Sequence, residues 1–364
     1  MTKRSLQNNP GYSDIPPKRA RYGLAIEYAN LAYKLLIPVC WVLFCGLSVV
    51  VIPTAGVIIT GVLDGKTLSG LVDVEVLSTP SVIFALVAWP LTLVLALIFT
   101  HRVKGINLRE QRTYYAKGNV PELNSEQKTA LRLTIVDGFN DGAWTQTLEY
   151  WPCEARVPEL KRFKFLTLTS KNEQRGMLEQ WWGIVNAKQY HDMVTNLLEG
   201  LHSKLFFEDA QSDQKTAMVE RLAGLVQLPE SYVEGCLDHS SEAPAKLLWG
   251  FDLYRIIAIA RSAYMAGYIS EEEAWSDILK AANYSHAIFD SYEDFYNSYR
   301  LGNAFWSNDF ETAREKLERW QNYNKNCKWP MRALPWPEVS TNELPSQIRD
   351  VFSPDQPSAK LGFI

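Results

Sequence analysis

Residues 35–63 read LLIPVCWVLFCGLSVVVIPTAGVIITGVL, a run without one charged side chain. Wound as an α-helix at about 1.5 Å per residue, it outruns a hydrocarbon core ~30 Å thick, so it can cross a bilayer and still tilt. Pro38 and Pro53 fit such a span, where neighbouring helices and local adjustments re-satisfy the backbone groups that proline frees. A second uncharged run occupies 76–100 and contains SVIFALVAWPLTLVLALIFT. Two helices apolar all round, side by side near one end of a chain, are out of place in a water-soluble core. The two runs predict a transmembrane hairpin. Neither holds an ionisable residue, which argues for an anchor rather than a transport path. Trp89-Pro90, in the middle of the second run, predicts a kink whose indole packs on small residues of the first, such as Gly46 or Gly56.

The flanks set the expected orientation. Lys18, Arg19, Arg21 and Lys34 precede the first run, and Arg102, Lys104, Arg109 and Arg112 follow the second. The connection DGKTLSGLVD (64–73) carries one lysine among acids. The excess of positive charge places both ends in the cytoplasm and the connection outside, as a multi-pass protein of the bacterial inner membrane. The first 34 residues are too long and polar for a signal-peptide n-region, so the anchor is expected to stay attached. GVLDGKT (61–67) imitates the end of a phosphate-binding loop, but Thr60 stands where its first glycine is required.

Charge divides along the chain as hydropathy does. Residues 1–117 carry 12 Lys/Arg against 6 Asp/Glu, and the remainder 25 against 35. A body with a net charge of −10 argues against nucleic acid, whose affinity rests on basic side chains neutralising phosphates. The five cysteines, Cys40, Cys45, Cys153, Cys236 and Cys327, form no C-x-x-C pair, so neither a disulfide framework nor a zinc spacing is present. The five histidines make no H-x-x-x-H, and no cofactor or metal is expected. Cys236-Leu-Asp238-His239 is the nearest approach to a reactive cluster, though neighbours in sequence rarely assemble a triad.

Beyond the basic flank, 118–175 reads as mixed and partly irregular, with DGFNDG at 137–142 and a strand-like FKFLTLT at 163–169. From 176 the pattern is helical. Asn186…Gln189 and Ser270…Glu273 each follow a glycine, Gly183 or Gly267, and both have capping-box spacing. Each predicts a helix, a tight turn and a second helix. In GFDLYRIIAIARSAYMAGYISEEEAWSDI (250–278) the polar residues Asp252, Arg255, Arg261 and Glu273 stand among apolar ones, with Trp275 beside them. Asp252 and Arg255, at i and i+3, can pair on one helix face. Glu271 and Glu272 suit the positive first turn of the new helix. A structural network is the expected role of this cluster. Its alternative is a pocket for a small anionic substrate, where arginine clamps a phosphate or carboxylate. DSYEDFYNSYRLGNAFW (290–306) predicts a further helix capped by Ser291 or Asp290, and NDFETAREKLERWQNY (308–323) an amphipathic one. The last stretch, with MRALPWPE, reads as an extended arm that packs its tryptophans on the body.

Residues 250–306, with WWGI at 181–184 and MRALPW at 331–336, resemble the bacterial domain of unknown function 1266 over about 175–337. Phe251 and Tyr292 stand where that pattern would have tryptophan. The resemblance implies a mainly helical bacterial domain and brings no catalytic residue with it.

The expected fold is mainly α: a two-helix transmembrane hairpin, then a mostly helical cytoplasmic domain with a short strand pair near its start. Its divisions are a basic tail (1–34), spans at 35–63 and 76–100 around a loop (64–75), a membrane-proximal region (101–175), the helical domain (176–337) and a Pro-rich tail (338–364). The expected function is a membrane-tethered binding or scaffold protein with a protein partner, touching lipid through its spans. Two alternatives are an immunity-type protein that neutralises a toxin at the membrane and an enzyme using the Asp/Arg/Glu cluster.

Overall fold

The computed structural model describes residues 31–64, 80–144, 147–158, 169–239 and 244–349. The chain divides near Lys117 into two compact units. The first is a helical hairpin of α1 (Leu31–Leu63) and α2 (Pro80–Lys117). Both contain windows long and apolar enough to cross a bilayer, Lys34–Gly56 at mean hydropathy 2.7 and Phe84–Arg102 at 2.0. Their outer surfaces are bare hydrocarbon: Val42, Val49 and Phe84 are each about 70% exposed or more. Water would penalise that surface at roughly 25 cal/mol per Å², whereas lipid does not.

The hairpin seam corrects one expectation. Trp89 does not pack on Gly46 or Gly56, whose Cα positions have open space beside them. Its indole stacks on Phe44 at 5.5 Å and donates from Nε1 to Ser48 Oγ at 2.7 Å. Ser48 in turn donates to the Phe44 carbonyl at 2.7 Å. The reason is polar satisfaction: an indole N–H surrounded by hydrocarbon needs an acceptor, which serine has and glycine lacks.

The second unit is a helical body, and among its described residues there is no sheet. The strand-like FKFLTLT lies mostly outside the described residues. What is seen of the expected strand pair is an isolated parallel bridge between Cys153 and Thr169. The region before it contains α3 (Ser125–Arg132) and α4 (Ile135–Asp141), then irregular chain. The remaining helices are α5 (Lys171–Trp182), α6 (Ala187–Leu198), α7 (Leu201–Ala210), α8 (Lys215–Val226), α9 (Glu230–Gly235), α10 (Trp249–Ala266), α11 (Glu271–Ile288), α12 (Tyr292–Ser307), α13 (Phe310–Asn326) and the short α14 (Ser346–Arg349).

The centre of the body is α10. Nearly every residue of it is buried, because α5, α6, α7, α11 and α12 pack round it. This explains a sequence with hardly a polar stripe: a helix enclosed on all sides has no solvent face to mark. The α10–α12 contact is close enough to require glycine. A Cβ on Gly302 would overlap Phe251 Cβ, and one on Gly250 would meet the Phe295 carbonyl and Ser298 Cβ at 2.7 Å.

Helix ends follow the capping logic. Ser270 and Glu273 form a reciprocal box, with Gly267 at φ 72° ending α10. Gly183, at φ 64°, ends α5. Asn186 caps α6, but Gln189 reaches back to the Val185 amide rather than to the cap residue's own. Ser291 caps α12 and Asp309 caps α13. The C-terminal arm packs as expected: Trp329 meets Phe139 at 5.3 Å, and Trp336 sits edge-on to His286 and Tyr292.

Candidate functional site

The five polar and aromatic residues singled out from 250–278 go to separate places. Asp252 is fully buried and points at the start of α7. Its carboxylate accepts from the backbone N–H groups of His202 (3.1 Å) and Ser203 (3.0 Å), and from Ser203 Oγ (2.8 Å). It thereby caps a helix other than its own, one whose Gly200 start has no side chain for the task. Asp252 also receives the His202 Nδ1–H at 2.5 Å. The direct Asp252–Arg255 pair does not form; His202 stands between them, its Nε2 accepting from Arg255 Nη1 at 2.8 Å. With Arg255 donating at one ring nitrogen, the imidazole proton resides on the other.

Arg255 is the most unusual group of the five. Its guanidinium lies 4.2 Å from the Trp182 ring centre, 4.9 Å from Phe251 and 5.9 Å from Trp306. Burial pulls its pKa down to about 10, against the favourable charge of Asp252. Such a cation is held by ring faces more than by a carboxylate.

Arg261 is fully buried and turned the other way. It donates to the carbonyls of Leu148 (2.8 Å), Trp144, Thr147 and Glu149, and lies 3.6 Å over the Tyr150 ring. One side chain thus satisfies the carbonyls of an irregular segment that has no helix to do so. Glu273 is about half exposed, occupied by the Ser270 box and 3.8 Å from His191. The box, chiefly the Ser270 backbone amide, lowers its pKa. Trp275 is buried, and its Nε1 has no hydrogen-bond partner among the described residues. Glu271 does more than complement a helix end: Arg156 clamps it through two bonds at 2.9 and 3.0 Å and also reaches Glu149.

Cys236 and His239 form no reactive pair. Burial pushes the Cys236 thiol up to about 12, and His239 Nε2 lies 3.2 Å from the Arg349 carbonyl. No group of three or more metal-ligating side chains occurs among the described residues.

A second polar centre was not found from the sequence. Asp137, in α4, receives the hydroxyls of Tyr254 and of Tyr299 (3.1 Å) and faces Lys316 (3.3 Å) and Arg319 (3.4 Å) from α13. Burial pushes its carboxyl up, but Lys316, the Tyr254 hydroxyl, Arg319 and the Tyr299 hydroxyl together outweigh burial and hold it below the ordinary value. Beside it opens a cavity of about 350 Å³, reached by residues of α4, α5, α10 and α13. Asp137 sits in DGFNDG, within the stretch that read as mixed and partly irregular, and Lys316 and Arg319 lie in the helix that read as amphipathic. The only local signal was the spacing of Lys316 and Arg319, one turn apart.

Comparison with known proteins gives a consistent picture. The family described as "Protein of unknown function (DUF1266)" matches residues 177–336. The inner membrane protein YnjI of Escherichia coli (strain K12) is 30% identical over 247 residues, covering 63% of this chain and 70% of that protein. No solved structure matches. The relative's designation and the two apolar helices agree on a membrane-associated protein.

Proposed function

The chain belongs to the family of unknown function DUF1266, and from that premise we propose that it is an inner-membrane tether presenting an acidic helical domain to a protein partner in the cytoplasm. Basic residues on both outer flanks of the hairpin support the cytoplasmic placement of both ends.

The observation that carries the binding role is the aromatic surface around Arg255. Trp182 and Trp306 both lie over its guanidinium, and Trp306 is 44% exposed. Next to them in sequence, Trp181 is 69% exposed and Phe310 53%. Tryptophan with arginine is the composition of interface hot spots, and a large apolar side chain left in water is worth covering. The acidic charge of the body would favour a partner with a basic face.

Asp252, Arg261 and Glu273 are, on this reading, structural: Asp252 accepts from the start of α7, Arg261 donates to backbone carbonyls through Nε and Nη2, and Glu273 closes a helix cap.

A photo-crosslinking residue at position 181 or 306, in cells, tests the proposal. A discrete protein adduct is expected, weakened by Arg255→Ala or by Trp306→Ala read from position 181. Adducts only with lipid, or none, would overturn it. A reporter fused after residue 364 checks the side of the membrane: fluorescence in the cytoplasm is expected, alkaline-phosphatase activity is not.

A further inference from the structure

The aromatic surface has a cation among its rings with one edge unused, and we infer that this edge receives a carboxylate, so that the partner's contact segment carries an Asp or Glu side chain next to an apolar one. The inference rests on the docking role proposed for that surface and names the chemistry it recognises. Arg255 extends from the buried helix α10 between Trp182 at the end of α5 and Trp306 at the end of α12. Its Nη1 is engaged, donating to His202 Nε2 at 2.8 Å. Nε and Nη2 have no acceptor among the described residues, and neither is sealed from solvent. These two groups form the side edge of a guanidinium, whose parallel N–H bonds match the two oxygens of one carboxylate.

Nothing within the described body already fills that edge. Asp252, three residues earlier on the same helix, is separated from Arg255 by the His202 ring, and its oxygens accept from the start of α7. Burial pulls the Arg255 pKa down to about 10, so the cation is poorly solvated, and an anion brought to it gains more than on an open surface. A second cation stands nearby in the chain's path: Arg221 donates to Asn308 Oδ1, two residues past Trp306, and has no carboxylate partner among the described residues. Trp306, 44% exposed, supplies apolar contact beside the charge. A phosphate, with up to two charges and three oxygens, asks for more donors than one guanidinium edge offers. The body's net charge of −10 would repel a segment acidic throughout, so the carboxylate stands alone on a face otherwise neutral or basic.

Cross-linking from position 181 of the full-length protein in cells, with mass spectrometry of the adduct, begins the test. The cross-linked peptide is expected to contain Asp or Glu adjacent to an apolar residue. It is then synthesised with the carboxylate, with the corresponding amide, and with phosphoserine at that place, and each is titrated by fluorescence anisotropy onto the full-length protein in nanodiscs. The amide form should bind about ten- to a hundredfold more weakly, the range of one charge-assisted pair, and phosphoserine no more tightly than the carboxylate. Arg255→Lys keeps the charge without the fork, and should weaken the carboxylate form about tenfold while leaving the amide form unchanged. The comparison of peptides uses the unaltered chain and stands even where that variant does not fold. No protein adduct would overturn the docking surface, and this inference with it. A peptide without an acid, equal binding of acid and amide, or tighter binding of phosphoserine would overturn the inference alone and leave the surface in place.

Discussion

Asp252 shows how much one side chain can carry in a helical core. Four donors from His202 and Ser203 converge on it, two of them the orphan amides of α7. Asp252→Asn keeps the shape but turns an N–H₂ group toward donors, so it should cost about 2–4 kcal/mol and lower the thermal midpoint of the solubilised protein. Ser203→Ala removes one bond and should cost roughly 1 kcal/mol. His286 gives a pH test. It is buried against Trp336, its Nε2 has no partner among the described residues, and burial pulls its pKa down to about 4. The unfolded chain takes up this proton near pH 6.5, the folded one only near pH 4. Stability from this residue is therefore full above pH 6.5 and falls as pH drops from there to about 4, by on the order of 2–3 kcal/mol. Unfolding followed across that window should lose most of this slope in His286→Gln.

At the scale of elements, the close α10–α12 contact is the sensitive joint. Gly302→Ala adds one methyl where Phe251 already stands, and should destabilise by about 1–3 kcal/mol, measured by denaturant unfolding. Gly224→Ala, at an exposed helical position with open space beside it, is the control and should be neutral or mildly stabilising. Several helix starts were legible because a cap and its partner lie within four residues. Ser270 and Ser291 each announce a helix in this way, whereas Asp309 caps a helix that read only as amphipathic. Gln189 reached a different amide than its spacing implied, because two donors lay within its reach. The irregular segment at 147–158 was legible only as irregular. Its order comes from Arg261, which approaches from more than a hundred residues away, and from the segment's own Arg156, which grips Glu271 at a like separation.

For the whole molecule, the two units answer to different solvents. The hairpin exposes apolar surface everywhere but along its seam, where Ile37 and Ala96 are buried, while the body closes its own around α10. The chain should therefore remain in the membrane pellet through alkaline carbonate washing and leave it only with detergent. Release by carbonate alone would contradict the apolar spans. Within the hairpin, Ser48→Ala strips the Trp89 indole of its acceptor and should loosen the pair of helices, read as lower thermal stability in detergent.

Two things were already determined by the order of residues: where the apolar runs that suit lipid lie, and where the locally capped helices begin. Both depend on neighbours within a turn or two, or on a run of uncharged side chains, so no distant contact can alter them much. The polar centres were decided only when the chain folded. His202 comes between Asp252 and Arg255 from fifty residues upstream, and Lys316 meets Asp137 across a separation of 179. A carboxylate's role depends on which donors surround it, and packing brings those donors from helices that share no local pattern with it.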